Sequence, residues 1–159
     1  MLVRIIAVGK IKERFLTEGI AEYEKRLTPY VKLTIVEVAD EKRGVHASLG
    51  QEQVIKDREG DRILAAIPEG AYVVALDVRG KEMSSEALAS RLHEWQLAGM
   101  NSIAMIIGGD LGLSKAVLAR ADLRLSISPM TFTHQMVRMI LLEQVYRACR
   151  INSGEPYHK

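Results

Sequence analysis

Cysteine is nearly absent from this sequence: Cys149 is the single thiol in 159 residues. One cysteine closes no internal disulfide, so the fold must rest on its core, and the reducing cytoplasm is the expected home. Cys149 falls in an apolar helical pattern and reads as a small core residue. Long hydrophobic runs are missing as well: no stretch of eighteen apolar residues occurs, which excludes a membrane-spanning helix. Met1 to Gly9 lacks the basic flank and cleavage site of a signal peptide and reads as a strand. A surplus of one charge is also lacking, since 22 Lys and Arg face 20 Asp and Glu, for a net charge of +2. A free-standing nucleic-acid module shows a stronger basic excess. Nucleic-acid binding by this chain would need local concentration of charge or a second copy.

Several chemical signatures are absent too. The four histidines, His46, His93, His134 and His158, show no metal-ligand spacing with one another or with Cys149. No Gly-x-Ser-x-Gly elbow and no P-loop lysine occur, so hydrolase and NTPase readings have no anchor. No internal repeat or low-complexity segment is present.

What is present is the balance of a soluble globular protein, 48% hydrophobic and 26% charged. The length fits one domain, residues 1–159, with a core that needs no staple. Leu2 to Val8 reads as a strand ending at Gly9. Leu16, Ile20, Tyr23 and Leu27 recur at helical spacing before Pro29. Val31 to Val38 alternates as a strand, and the polar stretch Asp40 to Ser48 reads as a mobile loop. Glu52 to Ile67 predicts a helix that Gly60 weakens.

Tyr72 to Leu76 and Ile103 to Ile107 are continuous apolar runs, the pattern of strands buried on both faces. Arg79-Gly80-Lys81 reads as a turn after the first run. Ser84 is a helix N-cap for the stripe Leu88, Leu92 and Trp95, which ends at Gly99. Ser114 to Arg120 reads as a short helix, Leu123 to Ser128 as a strand, and His134 to Arg150 as the last helix. Strand and helix thus alternate five times, which predicts an α/β fold with a mostly parallel sheet and helices on both faces. The last helix is apolar nearly all round, through Met136, Val137, Met139, Ile140, Leu141, Leu142, Val145 and Ala148. Such a helix must be buried all round, either as a central core helix or against a second subunit, and a dimer is the expectation.

Three segments can carry chemistry. The strand Ile103 to Ile107 runs straight into Gly108-Gly109-Asp110-Leu111-Gly112, a glycine-rich turn at the carboxyl edge of the sheet, where open α/β sheets bind ligands. The spacing is Gly-Gly-x-x-Gly, and no acidic residue ends the following strand, so a dinucleotide fingerprint is excluded. The loop Ile127-Ser128-Pro129-Met130-Thr131-Phe132 leaves the adjacent strand and could clasp a flat heterocycle. The last helix and tail carry His134, Arg138, Glu143, Arg147, Arg150, His158 and Lys159. Glu143 and Arg147 stand one helical turn apart and can pair with each other. Arg138, set in an apolar helix, requires a partner, and guanidinium suits phosphate.

With these segments together, the chain resembles the RlmH family, SPOUT-class methyltransferases that act on 23S ribosomal RNA. The resemblance runs from Ile6-Ala7-Val8-Gly9-Lys10 through Ala21 to Leu27 to the end of the chain. Its specific pieces are Ile107-Gly108-Gly109, Met130-Thr131-Phe132-x-His134-Gln135, Glu143 to Ala148, and Pro156-Tyr157-His158-Lys159. It implies a carboxyl-terminal trefoil knot, a homodimer, and S-adenosyl-L-methionine as methyl donor. It implies methylation of N3 of a pseudouridine in a 23S stem-loop on the assembled ribosome. Cofactor positions carry over to Leu76, Gly108 and the loop Ile127, Ser128, Pro129, Met130, Thr131 and Phe132. The tail motif carries over to Tyr157 and His158. His158 is the preferred proton acceptor or carbonyl donor, Arg138 the preferred phosphate or carbonyl contact, and His134 the rival. Thr133 stands where relatives often have proline, a change expected to loosen the cofactor loop. Two other readings remain: a non-catalytic ribosome-associated module of the same fold, and a nucleotide-binding oxidoreductase, against which the missing fingerprint counts.

Overall fold

The computed structural model describes residues 1–157. Ten elements follow one another: β1 (Leu2–Val8), α1 (Arg14–Leu27), β2 (Lys32–Val38), α2 (Leu49–Ala66), β3 (Tyr72–Glu82), α3 (Ser85–Leu97), β4 (Ser102–Ile107), α4 (Lys115–Arg120), β5 (Leu123–Ser126) and α5 (His134–Asn152). The five strands form one sheet in the order β2-β1-β4-β3-β5, and every pairing is parallel. The expected α/β architecture is therefore observed.

Parallel strands covered on both faces must be apolar on both faces, and β1 and β4 are. Ile5, Ile6, Ala104, Met105 and Ile106 are all fully buried. One face packs Val3, Ile5, Ala7, Met105 and Ile107 against Ile20 and Leu27 of α1, Leu88, Leu92 and Trp95 of α3, and Leu141, Leu142 and Val145 of α5. The other face packs Ile6, Val8, Ala104 and Ile106 against Ile63 of α2 and Val117 of α4. Ser84 caps α3 as expected, its hydroxyl accepting the Ala87 N–H.

The apolar circumference of α5 has an internal cause. This helix packs against both α1 and α3 over the sheet, and no residue from 134 to 151 is exposed. The central-helix alternative thus accounts for its composition within one chain. Cys149 packs at the edge of the same core, and burial pushes its thiol up to about 11.

Three details differ from expectation. α2 starts at Leu49, earlier than Glu52, because Ser48 and Gln51 form a reciprocal capping box. Gly60, a weakness by propensity, sits where α2 meets α4: a Cβ there would lie 2.3 Å from the Ser114 hydroxyl. Arg79-Gly80-Lys81 is no turn between elements. β3 pairs with β5 through Leu76, bulges, and resumes pairing with Lys81 opposite Leu125 and Glu82 opposite Ser126. Gly80 makes the return possible, since a Cβ there would lie 2.7 Å from the Arg124 backbone and 2.8 Å from that of Leu125. The start of the polar loop is pinned: the Glu41 N–H donates to Glu59 at 3.0 Å, and Arg62 reaches both Ala39 and Glu41.

Candidate active site

β4, β3 and β5 are neighbours in the sheet, so their carboxyl ends deliver three irregular segments to one place. The glycine turn follows β4, the bulge interrupts β3, and the loop 127–132 follows β5. They enclose a cleft of about 530 Å³. Leu76, Ile107, Leu125 and Ile127 supply apolar surface; Gly108, Ser128, Met130 and Phe132 stand around it, and His134 and Val137 of α5 close one side.

Each segment is shaped by its own chemistry. In the glycine turn the Gly112 N–H donates to the Gly109 carbonyl at 3.0 Å, and Gly112 holds φ at 84°. An L side chain rarely adopts that conformation. In the loop, the Ser128 hydroxyl accepts the Met130 N–H at 3.0 Å, and the Ser126 hydroxyl donates to the Ser128 carbonyl at 3.1 Å. These bonds fix the loop backbone before any ligand arrives. Thr133 serves as the N-cap of α5, its hydroxyl accepting the Met136 N–H at 3.2 Å. His134 Nδ1 then lies 2.9 Å from the Asp110 carboxylate, tying the start of α5 to the glycine turn.

Of the residues expected around a cofactor, Leu76, Gly108, Ile127, Ser128, Met130 and Phe132 line this cleft, whereas Pro129 and Thr131, both exposed, do not. Of the expected polar residues among those described, His134 lines the cleft, whereas Arg138 and Tyr157 do not. Arg138 does not line the cleft; it is 2% exposed and donates to Glu37 of β2 at 2.6 Å and to the Gly9 carbonyl at 3.0 Å. Its partner is a carboxylate of its own chain, and its role here is to bind α5 to the ends of β1 and β2.

Tyr157 also lies off the cleft. α5 ends in a reversal at Gly154 (φ 67°), with the Glu155 N–H bonded to the Arg150 carbonyl at 2.9 Å. The tail folds back on α5. Glu155 takes the Tyr30 hydroxyl at 2.9 Å and Arg150 at 2.8 Å. Tyr157 packs edge-on against Tyr146, lies under the Arg147 guanidinium, and donates to Glu143 at 3.1 Å. Glu143 in turn pairs with Arg147, as their spacing predicts. Burial, then the Glu143 carboxylate, push the Tyr157 phenol up to about 12. At neutral pH this group is a hydrogen-bond donor, not a base. Glu143 stands nine residues along α5 from His134, about 14 Å at 1.5 Å per residue. His158 lies outside the described residues.

Sequence reasoning missed Lys56, Asp77, Arg79, Lys115 and Arg124, which also line the cleft. They come from α2, the β3 bulge, α4 and β5, so no local pattern links them. Among the described residues no group of three His, Cys, Asp or Glu is placed to hold a metal ion, and no helix is long and apolar enough to cross a membrane.

The chain is similar to known proteins over its whole length. The family model described as "Predicted SPOUT methyltransferase" matches residues 1–158. A Methanoregula boonei protein is 72% identical over the full length of both chains. The ribosomal RNA large subunit methyltransferases H of Alkaliphilus oremlandii and Bifidobacterium adolescentis are each 55% identical, again over all of both chains. Among solved structures, a probable methylase family protein from Haemophilus influenzae superposes with a TM-score of 0.56 at 12% identity, covering 99% of this chain and 70% of that one. TrmJ from Z. mobilis superposes with a TM-score of 0.51 at 15% identity, covering all of this chain and 73% of the other. These two likenesses concern the fold.

Proposed function

The chain belongs to the SPOUT methyltransferase family, and we propose that it transfers a methyl group from S-adenosyl-L-methionine to N3 of a pseudouridine in a 23S ribosomal RNA stem-loop. It acts on the assembled ribosome, in the cytoplasm, as a homodimer whose protomers are single domains of residues 1–159 with a knotted carboxyl-terminal part. The observation that carries this reading is the convergence of the β3 bulge, the glycine turn and the 127–132 loop on one cleft.

The residues present fit the donor. The cleft volume of about 530 Å³ falls in the usual range for small-ligand sites. Leu76, Ile107 and Leu125 offer apolar surface to an adenine ring, and Asp77 is the one carboxylate among the lining residues, a counter-charge for a cationic ligand. Leu76, Gly108, Ile127, Ser128, Met130 and Phe132 would hold the donor, which supplies an electrophilic methyl carbon on a positively charged sulfur.

The chain's own residues then have three tasks. The preformed loop and turn fix the orientation of the reacting groups. The apolar surface excludes water. A base must take the N3 proton, a weak acid between two carbonyls, and donors must meet the charge that spreads onto those oxygens. We assign the proton to His158, with its sequence neighbour Tyr157 offering an aromatic face on which an unstacked loop base can lie. Tyr157 sits far along α5 from its own cleft, which supports a tail that serves the cleft of a second copy.

Calorimetry with S-adenosyl-L-methionine tests the first half, with one bound donor per chain expected. Transfer of labelled methyl to assembled ribosomes and to free RNA, followed by mapping of the base, tests the second. No heat with the donor, or label on another base, would overturn the corresponding half.

A further inference from the structure

The cationic side chains at the cleft are out of proportion to the chain. Overall, 22 basic residues face 20 acidic ones, yet among the described residues the cleft is lined by Lys56, Arg79, Lys115 and Arg124 against Asp77 alone. Nine arginines elsewhere sit in ion pairs. Among the described residues, no side-chain cation of the four is in an ion pair; the Arg79 backbone N–H, not its guanidinium, donates to Asp77 at 3.1 Å. Arg79, Lys115 and Arg124 are exposed and Lys56 is half-buried.

A methyl donor with a sulfonium, an ammonium and one carboxylate carries net positive charge. Four unneutralised cations around it repel more than they attract, and one would suffice for its carboxylate. The cations therefore answer to a different ligand, a polyanion laid across the mouth. We propose that Lys56, Arg79, Lys115 and Arg124 form a phosphate-binding rim that seats the RNA backbone over the cleft. This inference rests on the methyl-transfer reading of the cleft. It also meets the need for locally concentrated charge that the small net charge imposes. Four elements share the rim, and the β3 bulge that carries Arg79 exists only because Gly80 lets the strand return to β5. Phosphate contacts set register and carry no base specificity, so the rim positions RNA and leaves base choice to the cleft.

The test is the salt dependence of binding to purified ribosomes, measured by sedimentation. Each lost phosphate contact should lower the slope of log affinity against log salt by about 0.7 to 0.9. The combined variant Lys56→Gln, Arg79→Gln, Lys115→Gln, Arg124→Gln should bind ribosomes more than 10-fold less tightly at low salt and with a flatter slope. Thermal unfolding checks that it folds, and the surface singles Lys115→Gln and Arg124→Gln, each expected to remove about one slope unit, stand in if it does not. A wild-type slope in the combined variant overturns the rim. So does wild-type ribosome affinity with weakened donor binding, which assigns the cations to the donor. A wild-type protein that binds no donor, while the slope still flattens, sinks the methyl-transfer reading and leaves the rim standing.

Discussion

The Arg138 guanidinium donates to the Glu37 carboxylate at 2.6 Å across 101 residues of sequence, and the two ends of this pair are unequally buried. The arginine side chain is 3% exposed and the glutamate 38%. Removing Glu37 strands a cation inside the protein, whereas removing Arg138 strands a carboxylate that water reaches. Glu37→Ala should therefore cost about 3 kcal/mol, and Arg138→Met distinctly less, since the apolar stem keeps its packing. Denaturant unfolding of both variants checks the order; equal losses would mean that the pair is solvated in solution.

Gly80→Ala should unsettle the site at a distance. A methyl group at that position meets the Arg124 and Leu125 backbone, which cannot rotate away. Separating β3 from β5 should lower stability by about 1–3 kcal/mol. It should also weaken donor binding, because the displaced bulge carries Asp77 and Arg79. Thermal unfolding and calorimetry measure the two effects, and wild-type values in both would show that the bulge tolerates the added atom.

Tyr157 predicts an alkaline transition. Its folded-state value, about 12, lies above the ordinary 10.0. The folded protein thus holds this proton more tightly than the unfolded chain does. The stability it contributes is complete below the ordinary value and is lost as pH rises from about 10 to about 12. Tyr157→Phe should remove that loss, leaving a flatter stability curve in this window. An unchanged curve would assign the alkaline unfolding to other groups.

Glu59 predicts the reverse of the usual carboxylate behaviour. It is 5% exposed, and burial raises its pKa above the ordinary glutamate value. Protonation relieves the buried charge, so stability from this group rises as pH falls through the raised value towards 4.5 and is lost as pH climbs back. Glu59→Gln keeps an oxygen to accept the Glu41 N–H. The variant should be at least as stable as wild type at neutral pH and should lack the acid-side gain. Thermal unfolding at several pH values decides; a large loss at neutral pH would show that the charge itself is needed.

His158→Ala should lower turnover at saturating RNA by about 100-fold while donor affinity stays at the wild-type level. Near-wild-type turnover would remove the imidazole from the proton step.

The order of strands and helices was legible because each element obeys its own period and its own stop signal: the Pro29 that follows α1, the Ser84 cap of α3, the apolar run of β4. The turn at Arg79 to Lys81 was misread because glycine between two charges looks like a break, and nothing local announces that β5 will offer those residues a second stretch of ladder. Arg138 announced that it needed a partner but could not announce which, since Glu37 lies on another layer. The Gly108 turn and the 127–132 loop could be placed together because adjacent strands end side by side. The cations at positions 56, 79, 115 and 124 were invisible for the opposite reason, being brought together by four separate elements.

Cys149 has a practical consequence. With its thiol pushed up to about 11, only about one molecule in ten thousand carries a thiolate at neutral pH, and alkylating reagents should pass it by. A new cysteine at Val45, which is 94% exposed, would then take a fluorophore selectively without removal of the native one. Val45→Cys would thus give a low-background handle for following the protein's encounter with ribosomes in real time.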